Sequence, residues 1–67
     1  MKKTIYLRLS DDSLVKEEND VIIPHIIGDQ VTLDVITYTI KETKEDSKIV
    51  DGELVFKTKT YKVEQTI

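Results

Sequence analysis

Nucleophilic catalysis needs a base within hydrogen-bonding reach of a hydroxyl or thiol, and in this chain that pairing reduces to His25 with Ser10, Ser13 or Ser47. His25 follows Pro24 inside an apolar run, a setting that suits a structural or surface histidine better than a proton shuttle. A domain this small also leaves little room for the pocket of roughly a few hundred cubic ångströms that a substrate needs. The expectation is a protein that is not an enzyme.

Other chemistries close on residue counts. Only Gly28 and Gly52 are present, so neither glycine-rich phosphate loop can be written. There is no cysteine, which removes disulfides and thiolate zinc sites. A calcium loop starting at Asp11 would put Val15 at the fifth position and Lys16 where glycine is required. No cofactor and no metal are expected.

Charge suggests two binding faces. Residues 1–9 carry +3 and residues 54–67 carry +2, whereas residues 10–20 carry −4 in a chain of net charge −3. If the first and last strands pair, Tyr6 and Arg8 share a face with Lys57, Lys59 and Tyr61. Basic residues around aromatics hold single-stranded nucleic acid, phosphates by charge and bases by stacking. Against this, lysine alternating with threonine is also an ordinary solvent face of a strand, and a pI near 5.0 is unlike a general nucleic-acid binder. The acids Asp11, Asp12, Glu17, Glu18 and Asp20 suggest an inhibitor that imitates phosphate spacing on a host enzyme, although such a loop also serves solubility.

The third face is apolar. Val21, Ile22, Ile23, Ile26 and Ile27 flank Pro24-His25 and exceed what one narrow strand face buries, so the surplus is a candidate partner surface. A 67-residue chain buries too little surface for a comfortable core, and self-association would offset that. The leading expectation is therefore a non-enzymatic protein-interaction module that self-associates, with single-stranded nucleic-acid binding and acidic inhibition as the alternatives.

Strands must position these residues. Valine, isoleucine and threonine make up 24 of the 67 residues and alanine is absent, a composition that favours pleated sheet over helix. Lys3 to Leu9 alternates, with Ile5, Leu7 and Leu9 on one face and Tyr6 and Arg8 on the other. Ser10 to Asp20 reads as a loop, and Val21 to Ile23 as a brief strand ended by Pro24. The alternation Val31, Leu33, Val35 changes phase to Ile36, Tyr38, Ile40, which requires a bulge or tight turn near Asp34-Val35 and strands over about 30–34 and 36–43. Asp51-Gly52 is a hairpin-turn dipeptide that sets Ile49 and Val50 against Glu53 and Leu54. Parity changes again between Phe56 and Tyr61, predicting a bulge or turn around Lys57 to Thr60. The prediction is one all-β domain over residues 1–67, a small antiparallel barrel or rolled sheet of four to six short strands.

The segment Ile23-Pro24-His25-Ile26-Ile27-Gly28-Asp29-Gln30-Val31-Thr32-Leu33, followed by Tyr38-Thr39-Ile40, resembles the strand entry of small SH3-like barrels, many of them uncharacterised phage- or plasmid-encoded proteins. The resemblance implies an SH3-like barrel and an accessory role in a phage or mobile element, and it carries over no functional residue. Met1-Lys2-Lys3 is not followed by an apolar export core, and Val21 to Ile27 is far shorter than the roughly 20 residues of a bilayer span. A soluble, cytoplasmic protein is expected.

Overall fold

The alternating runs become strands in a computed structural model that describes residues 1–66: β1 (Lys2–Arg8), β2 (Leu14–Asn19), β3 (Gln30–Leu33), β4 (Ile36–Val50) and β5 (Glu53–Gln65). They form one nearly closed, barrel-like sheet in the order β2-β1-β5-β4-β3. Each strand reverses the direction of the one before it. The first and last of five therefore run the same way, and β1 pairs with β5 in parallel, from Lys2 opposite Lys57 to Arg8 opposite Val63. The sheet is mixed, which corrects the purely antiparallel expectation. Among the described residues no helix is long and apolar enough to cross a membrane.

Turn chemistry is where the sequence was most legible. Asp34 and Val35 both hold positive φ, 51° and 67°, and turn the chain between the paired residues Leu33 and Ile36. Asp51 and Gly52 do the same at 53° and 80°, and Ile49 pairs with Leu54 and Val50 with Glu53. The second parity change lies earlier than expected: the register steps from Lys48 opposite Phe56 to Ile49 opposite Leu54, leaving Val55 as a bulge while β5 runs on unbroken. A second bulge at Lys41, between Ile40 opposite Val63 and Glu42 opposite Lys62, had no sequence signal.

Two further expectations change. Leu14–Asn19 is a strand rather than part of a loop, because an edge strand needs hydrogen bonds from one neighbour only and β1 supplies them. Val21 to Ile23 is not a strand; residues 20–29 cross the inner face of the sheet as a strap from β2 to β3. Under that strap lies the core: Thr4, Tyr6, Leu33, Tyr38, Ile40, Tyr61 and Val63. Thus β1 buries its Thr4–Tyr6 face, while Ile5, Leu7 and Leu9 stay partly exposed on the outside.

The two long strands outrun this barrel. β3 accompanies β4 only from Ile36 to Thr39, and β1 accompanies β5 only from Lys57 onward. Residues 41–55 are exposed; β1 still flanks β5 opposite Glu42 to Ser47, so the hairpin projects as an arm that is two-stranded only toward its tip, from Lys48 to Phe56. The molecule measures 46 × 20 × 18 Å with a radius of gyration of 12.7 Å, against about 11 Å for a compact chain of this length.

Candidate functional site

An irregular segment laid over a core must find partners for its backbone groups, and here inner-face hydroxyls provide them. The Thr4 hydroxyl donates to the Val21 carbonyl at 2.8 Å and accepts the Ile23 N–H at 3.0 Å. The Tyr61 hydroxyl donates to the Ile23 carbonyl at 2.6 Å and accepts the His25 N–H at 2.9 Å. At the far end an Asp29 carboxylate oxygen accepts the Ile26 N–H at 2.9 Å. The Tyr6 and Tyr61 rings stack at 5.6 Å, and the His25 ring meets Tyr61 edge-on at 5.0 Å.

His25 completes a line that looks like a proton relay. Its Nε2 is 2.9 Å from the Tyr6 hydroxyl, and its Nδ1 is 3.9 Å from an Asp29 oxygen. The hydroxyl, however, is a buried phenol: burial first, then the neighbouring Tyr61 and Glu18, push Tyr6 up to about 12. It stays protonated at neutral pH, as an ordinary phenol does, and burial holds it in that neutral, hydrogen-bonding form. The Ser13 hydroxyl bonds instead to Asp11 at 2.7 Å. One surface groove of about 680 Å³ is lined by Leu7, Asp12, Ile27, Glu42 and Lys62 among others, and His25 is not among its lining residues. The tyrosine–histidine cluster fastens the strap. Among the described residues no three His, Asp or Glu side chains converge to hold a metal.

Pairing of β1 with β5 does bring the five basic and aromatic candidates onto one sheet face, with Tyr6 directly opposite Tyr61. That face is the interior. Tyr6 is 1% and Tyr61 0% exposed, so neither ring presents a platform for a base, and the expectation of exposed stacking aromatics is corrected. Arg8 is exposed. Lys57 lies 2.9 Å and Lys59 3.9 Å from the Glu45 carboxylate, whose pKa is held below the usual range by the hydrogen bond and charge of Lys57.

The acids of residues 10–20 also find local partners. Glu17 pairs with Lys3 at 2.9 Å, Glu18 with Lys16 at 3.4 Å and Asp12 with Lys62 at 2.9 Å. Asp12 in turn raises the Lys62 pKa. Asp11 is hydrogen-bonded to Ser13, by side chain and backbone, which lowers its pKa. Asp20 is an exposed residue at φ 64°.

Of the apolar candidates, Ile22 and Ile23 are half-buried on the strap, whereas Val21, Ile26 and Ile27 are exposed, the last two at 72% and 64%. Sequence reasoning missed a second apolar surface at the tip of the arm. Ile49 is 65% and Leu54 58% exposed, with Val50 and Val55 beside them. The available signal was length: strand-compatible residues run uninterrupted on both sides of Asp51-Gly52 for longer than a small barrel can pair. Close behind the tip the amino-terminal ammonium donates to the carbonyl of the bulged Val55 at 2.9 Å, and Lys3 sits 5.9 Å over the Phe56 ring.

Comparison with protein-family models, with curated proteins and with solved structures finds no match to this chain.

Proposed function

We propose that this chain is a non-enzymatic protein-interaction module that self-associates, with the β4–β5 arm as its contact element. The observation that carries this reading is the exposure of Ile49 and Leu54, paired with each other on one face at the end of the projecting hairpin, with Val50 and Val55 exposed near them. A two-stranded ribbon is marginally stable alone in water. Apolar surface gains about 25 cal/mol for each square ångström removed from water, and an exposed apolar cluster rimmed by charge is the usual mark of a protein contact. A protein partner answers both needs. The resemblance to SH3-like barrels of phage and plasmid origin goes with an accessory role of this kind.

Sedimentation velocity across the micromolar range tests the reading. Wild type is expected to shift from monomer to a larger species with concentration. The double variant Ile49→Asp, Leu54→Asp is expected to stay monomeric with an unchanged unfolding midpoint, and Ile26→Asp on the strap to associate as wild type does. A wild type that remains monomeric throughout would remove self-association, and loss of association in Ile26→Asp alone would move the contact to the strap.

A further inference from the structure

The arm exposes backbone as well as side chains, and the backbone says more about its partner. On β5, the Lys57 N–H bonds to the Met1 carbonyl and the Val63 carbonyl accepts from Leu9, so odd-numbered residues of this stretch face β1 and even-numbered ones face β4. Lys62, Thr60, Thr58 and Phe56 are paired with Glu42, Lys44, Asp46 and Lys48. Antiparallel alternation then turns the amides and carbonyls of Thr43, Glu45 and Ser47, and of Ile49 toward the tip, away from β5. On that side β3 ends its pairing at Thr39, and the Ile40 amide closes onto the Asp29 carbonyl. Beyond Ile40, no strand covers this edge of β4 among the described residues.

An open edge accepts another strand. We infer that the edge of β4 from Lys44 to Val50 pairs antiparallel with the same edge of a second copy of this chain, with the two copies of Ser47 facing each other across the two-fold axis, joining the two sheets into one through their β4 strands. This inference rests on the self-association proposed above and names its surface.

Charge and space select the register. Antiparallel pairing with a two-fold axis must place hydrogen-bonding residues opposite one another, so the axis passes through a residue. With the axis at Asp46, that carboxylate faces its own copy and Lys44 faces Lys48; at Glu45 or Lys48, like charges again meet on the axis. Like charges directly opposite are destabilising. An axis at Lys44 sets Glu42 against Asp46, one at Thr43 drives the partner's arm over Ile40 and Thr39, where the edge is already occupied, and one at Ile49 or Val50 runs the partner strand into the Asp51-Gly52 turn and leaves at most three residues paired. With the axis at Ser47, each Asp46 faces the partner's Lys48. Glu45 then faces the partner's Ile49, and Lys44 the partner's Val50, whose aliphatic surfaces the lysine stem covers. In this register the charges along the edge choose one partner strand instead of only repelling strands.

Sedimentation equilibrium on three variants tests the register. Ser47 directs its N–H outward, so Ser47→Pro removes an edge donor without breaking the β4–β5 ladder, and it is expected to be monomeric. Asp46→Lys sets lysine against lysine twice per dimer and should weaken the dimer about tenfold, while Asp46→Lys with Lys48→Asp should restore it. If Ser47→Pro does not fold, the two charge variants decide alone. A wild-type monomer at every concentration overturns both this inference and the proposed function. A wild-type dimer that Ser47→Pro or Asp46→Lys leaves intact, or that the double exchange does not restore, overturns the edge pairing while self-association stands.

Discussion

The arm continues two of the five strands that build the barrel, and the contrast between the two regions shows what burial requires. In the barrel, β4 and β5 contribute Ile40, Tyr61 and Val63, all fully buried. Past Lys41 on one strand and Val55 on the other, residues of similar β-propensity stand in solvent: Ile49 and Leu54 are no less apolar than Ile40 and Val63. What differs is the cover. The strap lies over the barrel end of the sheet, held by Thr4, Tyr61 and Asp29, and leaves residues 41–55 exposed. The two bulges, at Lys41 and Val55, bracket the change of regime and re-aim the hairpin where its flanking strands stop.

Chemical denaturation breaks the comparison most directly. Ile40→Ala should cost about 2–4 kcal/mol, since it opens a cavity under a cover that cannot collapse freely, whereas Leu54→Ala should stay within about 0.5 kcal/mol. Equal losses would mean the arm is packed in solution. Thr4→Val and Tyr61→Phe keep shape but strand the backbone groups of Val21, Ile23 and His25, and each should cost about 1–3 kcal/mol. Faster amide exchange at Ile23 and His25 would locate the damage on the strap.

An alkaline titration probes the same cluster. The Tyr6 pKa is raised to about 12 from the ordinary value near 10, so the folded state holds a proton that the unfolded state releases first. The contribution is complete below about pH 10 and is lost as pH rises from there through about 12. Stability monitored over that window should fall in wild type and fall less in Tyr6→Phe.

The turns sharpen the contrast further. Gly52 takes its positive φ without strain, but Val35, 96% exposed at φ 67°, pays for a left-handed conformation that a β-branched residue disfavours. Val35→Gly should stabilise the protein by about 1 kcal/mol in thermal unfolding, and Gly52→Val should destabilise the arm. The smallest effect belongs to Glu45→Gln. With its pKa lowered by Lys57, Glu45 contributes above the ordinary carboxylate range and loses that contribution as pH falls through it. The variant should flatten a shallow acid-side slope and leave the midpoint at neutral pH nearly unchanged.

Local chemistry was legible. The two tight turns, the alternation of β1 and β3, the Ile49–Leu54 and Val50–Glu53 pairs and the all-β class follow from φ preferences and side-chain period, which act over a few residues. β2 was hidden because its hydrogen bonds come from β1 and acid and lysine make up half of its residues. Alternation in β1 separated Tyr6 from Ile5 and Leu7 but could not say which face is inside.

The sequence by itself determined strand-rich structure, the places where the chain reverses and the lack of a phosphate loop or thiolate site, because each depends on residue identity at short range. Only the tertiary structure decided that Tyr6 and Tyr61 are core, that β1 and β5 run parallel and that the strap leaves the arm uncovered. Those outcomes depend on which segment crosses which face, a contact between residues far apart in the chain that no local pattern encodes.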